Sequence, residues 1–308
     1  MAISAPFGYL LYYARLEKEV NMHTESLDKQ ILFSCQNLCF AYEDEARILD
    51  GLNFTIAQGE KIVLLGRNGS GKSTLFKLMT TVLRPEAGEL FWNGTPYSRK
   101  RKFLQELFRQ IGLVFQDPDD QLFAATVEQE VSFGAVNLGL PEAEIRSRVK
   151  EAMQVTDTLK LKDKALEELS FGERKRVSIA DLLVMDSRLL LLDEPTAWLD
   201  NENSREITKV LNSLNERGIA LLCSTHNVDW AWEFADRFLV LNSGKLCFDG
   251  APEDFFQRSD LREKLGLKLP DILQFHRILK EEIPNYQADS LPRNFSELRN
   301  NLPLNAPM

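Results

Sequence analysis

Lys61-Ile62-Val63-Leu64-Leu65-Gly66-Arg67-Asn68-Gly69-Ser70-Gly71-Lys72-Ser73-Thr74 is the stretch whose reading decides the fold. Gly59-Glu60 makes a turn before it, and Lys61 to Leu65 is a short apolar run of the kind that fits a strand buried on both faces. A glycine-rich loop follows at once. Beyond it Leu75, Phe76, Leu78, Met79 and Leu83 recur at helical spacing, until Arg84-Pro85 and Gly88 break the segment. A buried strand feeding a helix through a glycine-rich loop predicts an α/β fold with a parallel sheet.

The loop has the Gly-x-x-x-x-Gly-Lys-Ser pattern of a P-loop, in the strand-to-helix context that the mechanism needs. Glycines let the main chain wrap closely, so that successive N–H groups and the helix N-terminus point at an anion. Gly66, Arg67, Asn68, Gly69, Ser70 and Gly71 are the expected phosphate cradle. Lys72 should reach the β- and γ-phosphates, Ser73 should ligate Mg²⁺ and Thr74 should sit by the α-phosphate, so ATP and Mg²⁺ are the expected ligands. A second apolar run, Leu189 to Leu192, ends in Asp193-Glu194. Carboxylates at the end of a buried strand lie at the mouth of the sheet, where α/β folds bind ligands. Asp193 can hold the Mg²⁺ hydration shell and Glu194 can polarise an attacking water. Taken alone, the pair is a solvated strand end; beside a P-loop it is a catalytic candidate.

Outward from this centre, Ile31 to Tyr42 and Leu52 to Ile56 read as antiparallel strands separated by the turn Glu43-Asp44-Glu45. Thr126 with Gln129 three residues on is a capping-box signal, and Pro141 opens a segment whose Ile145, Val149, Ala152 and Met153 form one apolar stripe. Another helix should begin near Gly172, and one should run from about Ser204 to Leu214 between the strands Leu189 to Leu192 and Ile219 to Cys223. This is βαβ rhythm around a helical insertion. Past Gly250-Ala251-Pro252 the chain turns helical and then polar, with Pro284, Pro292 and Pro303 limiting any long element.

Bulk properties narrow the function class. At 308 residues the chain can hold one main domain and an appendage, and 44% hydrophobic with 27% charged residues is near the globular average. A net charge of −9 argues against holding nucleic acid by phosphate neutralisation. Cys35, Cys39, Cys223 and Cys247 are too scattered for a disulfide framework, complete no metal set, and are expected as buried thiols in a reducing compartment. With His23, His226 and His276 unclustered, the chain is not expected to carry a metal cargo itself. No apolar run approaches the ~20 residues of a membrane span. The stretch Ala5 to Ala14 lacks a preceding basic segment, so it reads as a poor signal peptide, and Met22 offers another start. Residues before Met22 read as a loose extension or as no part of the native protein.

Leu169-Ser170-Phe171-Gly172-Glu173, placed shortly before the acidic pair, resembles the ABC signature sequence. In that family this serine hydroxyl and the helix N-terminus behind it meet the γ-phosphate held by the opposing subunit. Ser170 and Gly172 match, whereas Phe171 stands where the family usually has glycine. Without the resemblance, Ser170 is simply a helix N-cap. The resemblance implies further roles in order along the chain. Tyr42, two residues after Phe40, is similar to the aromatic that stacks on adenine, with a core tyrosine as the alternative. Gln116 resembles the Q-loop glutamine that meets Mg²⁺ and the water. Ala197-Trp198-Leu199-Asp200 is similar to the D-loop, with Trp198 replacing a small residue and Asp200 matching. His226 resembles the switch histidine beside the γ-phosphate and attacking water, with a satisfied core histidine as the alternative.

These landmarks span roughly Ile31 to Gly250 and imply a P-loop NTPase of RecA-like core with an antiparallel β subdomain, a helical ABC subdomain and a small C-terminal helical region. The expected divisions are an N-terminal extension over 1–28, an ATP-binding domain over 29–252 with its helical subdomain at about 118–181, and an accessory region over 253–308. The segment Phe115 to Phe123, followed by Ala125-Thr126-Val127-Glu128, and the run Glu173-Arg174-Lys175-Arg176 are similar to the ATPases of energy-coupling-factor importers, the cobalt/nickel branch above all. That resemblance implies an ATPase powering uptake of cobalt, nickel or another micronutrient. It implies a transmembrane coupling subunit, a substrate-binding membrane component, and a homodimer or paralogous heterodimer held peripherally on the cytoplasmic face of the cell (inner) membrane. Asp119 and Asp120 would then meet partner arginines or form a charged surface turn, and Arg99 to Lys102 would face anionic lipid or solvent. The competing expectation is a soluble ABC ATPase acting on the ribosome or nucleic acid. A single cassette, no sustained heptads and an acidic balance weigh against it.

Overall fold

A computed structural model describes residues 30–43, 46–283, 286 and 290–302 of the chain. The expectations for the Ala5 to Ala14 stretch, Met22, Asp44, Glu45, Pro284 and Pro303 lie outside the described residues. The strands are β1 (Ile31–Phe40), β2 (Leu49–Ala57), β3 (Lys61–Leu65), β4 (Ala87–Trp92), β5 (Thr95–Pro96), β6 (Ile111–Val114), β7 (Leu189–Asp193), β8 (Ala220–Thr225), β9 (Arg237–Asn242) and β10 (Lys245–Gly250). The helices are α1 (Lys72–Met79), α2 (Arg101–Gln110), α3 (Val127–Asn137), α4 (Glu142–Val155), α5 (Phe171–Leu183), α6 (Asn201–Glu216), α7 (Val228–Phe234), α8 (Pro252–Gln257), α9 (Ser259–Leu265), α10 (Asp271–Glu282) and α11 (Phe295–Asn300).

Six strands form the central sheet in the order β10-β9-β3-β8-β7-β6. It is parallel from β9 to β6, with β10 antiparallel on its edge. Its strands are apolar throughout because both faces are covered, and the side-chain period of two sorts them between two cores. Val63, Leu65, Leu190, Leu192, Leu221 and Cys223 face one core, which also contains Ile207 of α6 and Trp232 of α7. Ile62, Leu64, Leu189, Leu191, Ala220 and Leu222 face the other, shared with α1 and with an antiparallel sheet of order β2-β1-β4-β5. The helical insertion has its own core of Val127, Val131, Met153, Val177 and Val184. There Thr126 caps α3 by accepting the Gln129 N–H.

Helices α8 to α11 do not stand apart from the central sheet's core. Phe255, Phe256, Leu265, Ile272, Leu273 and Leu298 join the same apolar cluster as Trp232 and Phe238. Trp232 Nε1 donates to Pro292 O at 2.8 Å, and Arg293 stacks over the Trp232 ring. A fully buried aromatic of this kind holds on the order of 3–5 kcal/mol against truncation to alanine.

The antiparallel pair β1/β2, the P-loop strand and helix, and the two later strands form as the pattern predicts. α6 starts earlier than Ser204 because Asp200 caps it, accepting the Asn203 N–H. β1 stops at Phe40 and leaves Tyr42 outside the sheet. Strands β4, β6, β9 and β10 and helix α2 were not singled out in the sequence. One thiol expectation is corrected: Cys35, Cys39 and Cys223 are buried, but Cys247 is exposed. It lies on the edge strand β10, whose residues alternate between exposed and half-buried. Burial pushes the Cys35 thiol up to about 12, so it is inert.

Candidate nucleotide site

The parallel strands β3, β7 and β8 end side by side, with Leu65 opposite Thr225 and Asp193 opposite Ser224. That register brings the glycine-rich loop, the acidic pair and His226 to one mouth of the sheet. They line a cleft of about 420 Å³ together with Tyr42, Ile48 and Gln116. Gly71 turns into α1 at φ +105°, and a Cβ there would come within 2.6 Å of Leu49 Cδ2. Both facts require glycine at this position.

Lys72 is buried, and its Nζ donates to the loop's own carbonyls, Gly66 O at 2.8 Å and Arg67 O at 3.4 Å. Burial lowers its ammonium from the usual lysine range, against the opposing pull of Glu194 and Asp193. Ser70 Oγ is buried and, among the described residues, has no hydrogen-bond partner. An orphaned hydroxyl in the same loop as an ammonium satisfied only by carbonyls leaves hydrogen-bonding capacity for phosphate oxygens. Ser73 Oγ donates to Asp193 Oδ2 at 2.6 Å, which places two hard oxygens together at the cleft mouth in the way that suits Mg²⁺. The residues present therefore fit both the triphosphate and the metal.

Glu194 is largely buried and held at φ +46°. Its N–H donates to Ser224 O at 3.1 Å, its Oε2 accepts from Thr225 Oγ1 at 3.0 Å, and its Oε1 lies 2.7 Å from His226 Nδ1. The carboxylate is thus aimed before any substrate enters. His226 is exposed at the rim, which removes the core-histidine alternative. Tyr42 is likewise no core residue: it is 38% exposed, edge-on to Phe40, with its hydroxyl 3.4 Å from Thr74 Oγ1. Gln116 lies on the cleft wall.

Ser170, Gly172 and Asp200 are not brought into this cleft. They cluster on one another instead. Ser170 caps α5 in a full capping box with Glu173. The Glu173 carboxyl is desolvated, yet the Ser170 hydrogen bonds hold it below the usual range. Gly172 lies so close to Asn203 that a Cβ would come within 2.4 Å of its Oδ1, and Asn203 Nδ2 in turn donates to both Asp200 oxygens. Phe171 and Trp198 pack edge to face with centroids 5.7 Å apart. The N-cap reading of Ser170 is therefore correct as far as one chain goes, and its hydroxyl hydrogen remains available to an incoming anion.

Sequence reasoning missed Ser224 and Thr225, although Ser224 Oγ donates to Asp193 Oδ1 and Thr225 grips Glu194. Their signal was position at the end of a strand, and only the β7/β8 register makes it meaningful. Lys175 was missed as well. It is fully buried on α5, and its Nζ donates to Phe115 O at 2.5 Å and Gln116 O at 2.9 Å. Burial pushes its ammonium down to about 8 against the pull of Asp193, Asp117 and Glu194. Asp119, offered above to partner arginines, pairs with Arg174 of its own chain at 3.0 Å.

Comparison with known proteins gives the family and the fold. Residues 49–197 match the family described as ABC transporter. The chain is 42% identical over 251 residues to the energy-coupling factor transporter ATP-binding protein EcfA of Methanocaldococcus jannaschii, covering 81% of this chain and 90% of that one. It is also 42% identical over 252 residues to EcfA3 of Clostridium perfringens, covering 82% and 88%. Among solved structures, cbiO1 from Clostridium perfringens, described as part of the ABC transporter complex cbiONQ, superposes with a TM-score of 0.71 at 40% identity, covering 82% of this chain and all of that one. A dimeric ATP-binding cassette bound to ADP and Pi shares the fold, with a TM-score of 0.64 at 24% identity over 71% of this chain and 98% of that one.

Proposed function

This chain belongs to the ABC transporter family of ATP-hydrolysing cassettes, and on that premise we propose that it is the ATPase of an energy-coupling-factor type importer. In this reading Lys72 binds the β- and γ-phosphates, and Ser73 and Asp193 hold Mg²⁺ with Gln116 nearby. The metal, when bound, neutralises charge on the phosphate oxygens. Glu194, aimed by Thr225 and His226, takes up the proton of the attacking water, and Tyr42 lies against the adenine. One observation carries the reading: Lys72, Ser73, Asp193, Glu194 and His226 line one cleft, whereas Ser170, Gly172 and Asp200 form a separate locked cluster. Each chain thus holds half of two sites. Ser170 completes the site of a second cassette, identical or paralogous, and closure of the pair is the mechanical output.

A face for the membrane partner supports the importer part of the proposal. Phe123 and Phe133 pack edge to face at 4.7 Å and are 66% and 46% exposed, with Val136 on the same helix also exposed. The buried Glu130 carboxylate fixes that loop by accepting the N–H groups of Phe123 and Ala124. A rigid, exposed aromatic knob that adjoins Gln116 through a short loop suits an apolar helix from a transmembrane subunit. Among the described residues no helix is long and apolar enough to cross a membrane. In this reading the chain is held at the cytoplasmic face through that partner. The cargo in this reading is cobalt, nickel or another micronutrient, as the resemblance of the Phe115 to Phe123 segment implies, and it is bound by a separate membrane component. The test is purification of the tagged chain from its own cells in mild detergent. Integral membrane proteins should co-purify, and recovery of ribosomes or DNA in their place would overturn the proposal.

A further inference from the structure

A lysine with no exposed surface is costly to keep in an interior unless its ammonium is fully hydrogen-bonded. Lys175 meets that condition with main-chain carbonyls: among the described residues it has no ion pair, and its Nζ bonds to Phe115 O and Gln116 O. These carbonyls belong to the loop that leaves β6 and carries the Gln116 side chain to the wall of the nucleotide cleft. Lys175 itself lies a little more than one turn into α5, the helix that Ser170 caps. The neighbouring face of α5 is constrained as well. Arg176, 5% exposed, pairs with Glu206 of α6, and Gly172 abuts Asn203. Helix α5 is therefore a fixed support, with the Gln116 loop fastened to its side and Ser170 at its tip.

We propose that Lys175 is a positioning residue that yokes the Gln116 loop to α5, so that Gln116 at this chain's own cleft and Ser170, presented to the second cassette, are held in one fixed relative placement. The inference rests on the two-cassette reading above. A methionine would fill the space without reaching the carbonyls, and the loop and the helix would move independently.

The test uses the full chain with Glu194→Gln to block hydrolysis, and follows ATP-dependent dimerisation of two copies by light scattering. Glu194→Gln alone should dimerise. With Lys175→Met added, MgATP affinity of the monomer should be unchanged, because Lys72 and the cradle are untouched. The ATP concentration needed for half-dimerisation should rise about tenfold or more for the loss of two charge-assisted hydrogen bonds. Lys175→Arg should restore most of it, since the guanidinium can again donate to both carbonyls. Unchanged dimerisation of the methionine variant overturns the yoke. If that variant melts below the assay temperature, Lys175→Gln is read in its place, and the same unchanged result overturns the yoke. Failure of Glu194→Gln alone to dimerise overturns the two-cassette reading and, with it, the yoke.

Discussion

Glu194→Gln is the sharpest probe of the site, because the geometry says what the amide keeps and what it loses. Glu194 Oε2 accepts from Thr225 Oγ1, and Oε1 faces His226 Nδ1. The amide oxygen can keep the Thr225 bond while its NH₂ donates to His226 in the tautomer that leaves Nδ1 bare. Shape, packing and aim survive, and basicity and one negative charge are lost. Removing a positioned general base costs about 10²–10⁴-fold, which is about 3–5 kcal/mol of barrier at 1.36 kcal/mol per tenfold. ATP affinity should hold or tighten, since a carboxylate is removed from beside the phosphates. Single-turnover phosphate release and equilibrium nucleotide binding measure the two quantities separately. A hydrolysis rate within about tenfold of the parent, or an affinity loss as large as the rate loss, would refute the assignment of Glu194 as base.

Gly71→Ala forces a left-handed backbone on alanine, at about 1–2 kcal/mol, and drives Cβ into Leu49. ATP affinity by calorimetry should drop about tenfold or more. Ser224→Ala removes a hydrogen bond to the Asp193 carboxylate, worth about 1.5–3 kcal/mol. The Mg²⁺ concentration supporting half-maximal hydrolysis should rise, with metal-free ATP binding unchanged; an unaltered Mg²⁺ requirement would show that Ser224 does not support the metal site. Phe123→Ser with Phe133→Ser should leave ATP hydrolysis by the isolated chain intact and abolish co-purification of the membrane partner; retained co-purification would place the docking face elsewhere. Burial, with Glu130 beside it, pushes the Asp181 carboxyl up to about 7. Between about pH 4 and 7 the folded state then binds this proton more tightly than the unfolded chain, so the group's stabilisation is lost as pH rises through that window. The melting temperature of the parent relative to Asp181→Asn should fall between pH 5 and 8, and a pH-independent difference would contradict the raised value.

Much of the site was legible because its chemistry is written in contiguous residues. A P-loop is a local object: one strand end, one loop and one helix N-terminus make the anion cradle, so Gly66 to Thr74 could be read from spacing alone. Asp193-Glu194 needed only the rule that carboxylates closing a buried strand reach the ligand mouth. Tyr42 and His226 carried two readings in sequence, because an aromatic or imidazole ring says nothing of its own exposure. Their position at an open cleft decided between them. The strands β4 and β10 escaped notice where residues alternate incompletely or lie at an edge, as at Cys247, whereas β9, buried over Phe238 to Leu241, carried the same continuous apolar run as β3 and was passed over. Partial exposure weakens the hydrophobic period on which such readings depend.

Periodicity and spacing by themselves determined the fold class, the phosphate loop, the acidic strand end and the helical insertion, because each is set by interactions among neighbours in the chain. Tertiary structure alone decided that Ser224 and Thr225 steady the two carboxylates and that Lys175 clasps the Gln116 loop. Those contacts join residues far apart in sequence through sheet register and helix packing. No local pattern records which distant carbonyl a buried ammonium will meet.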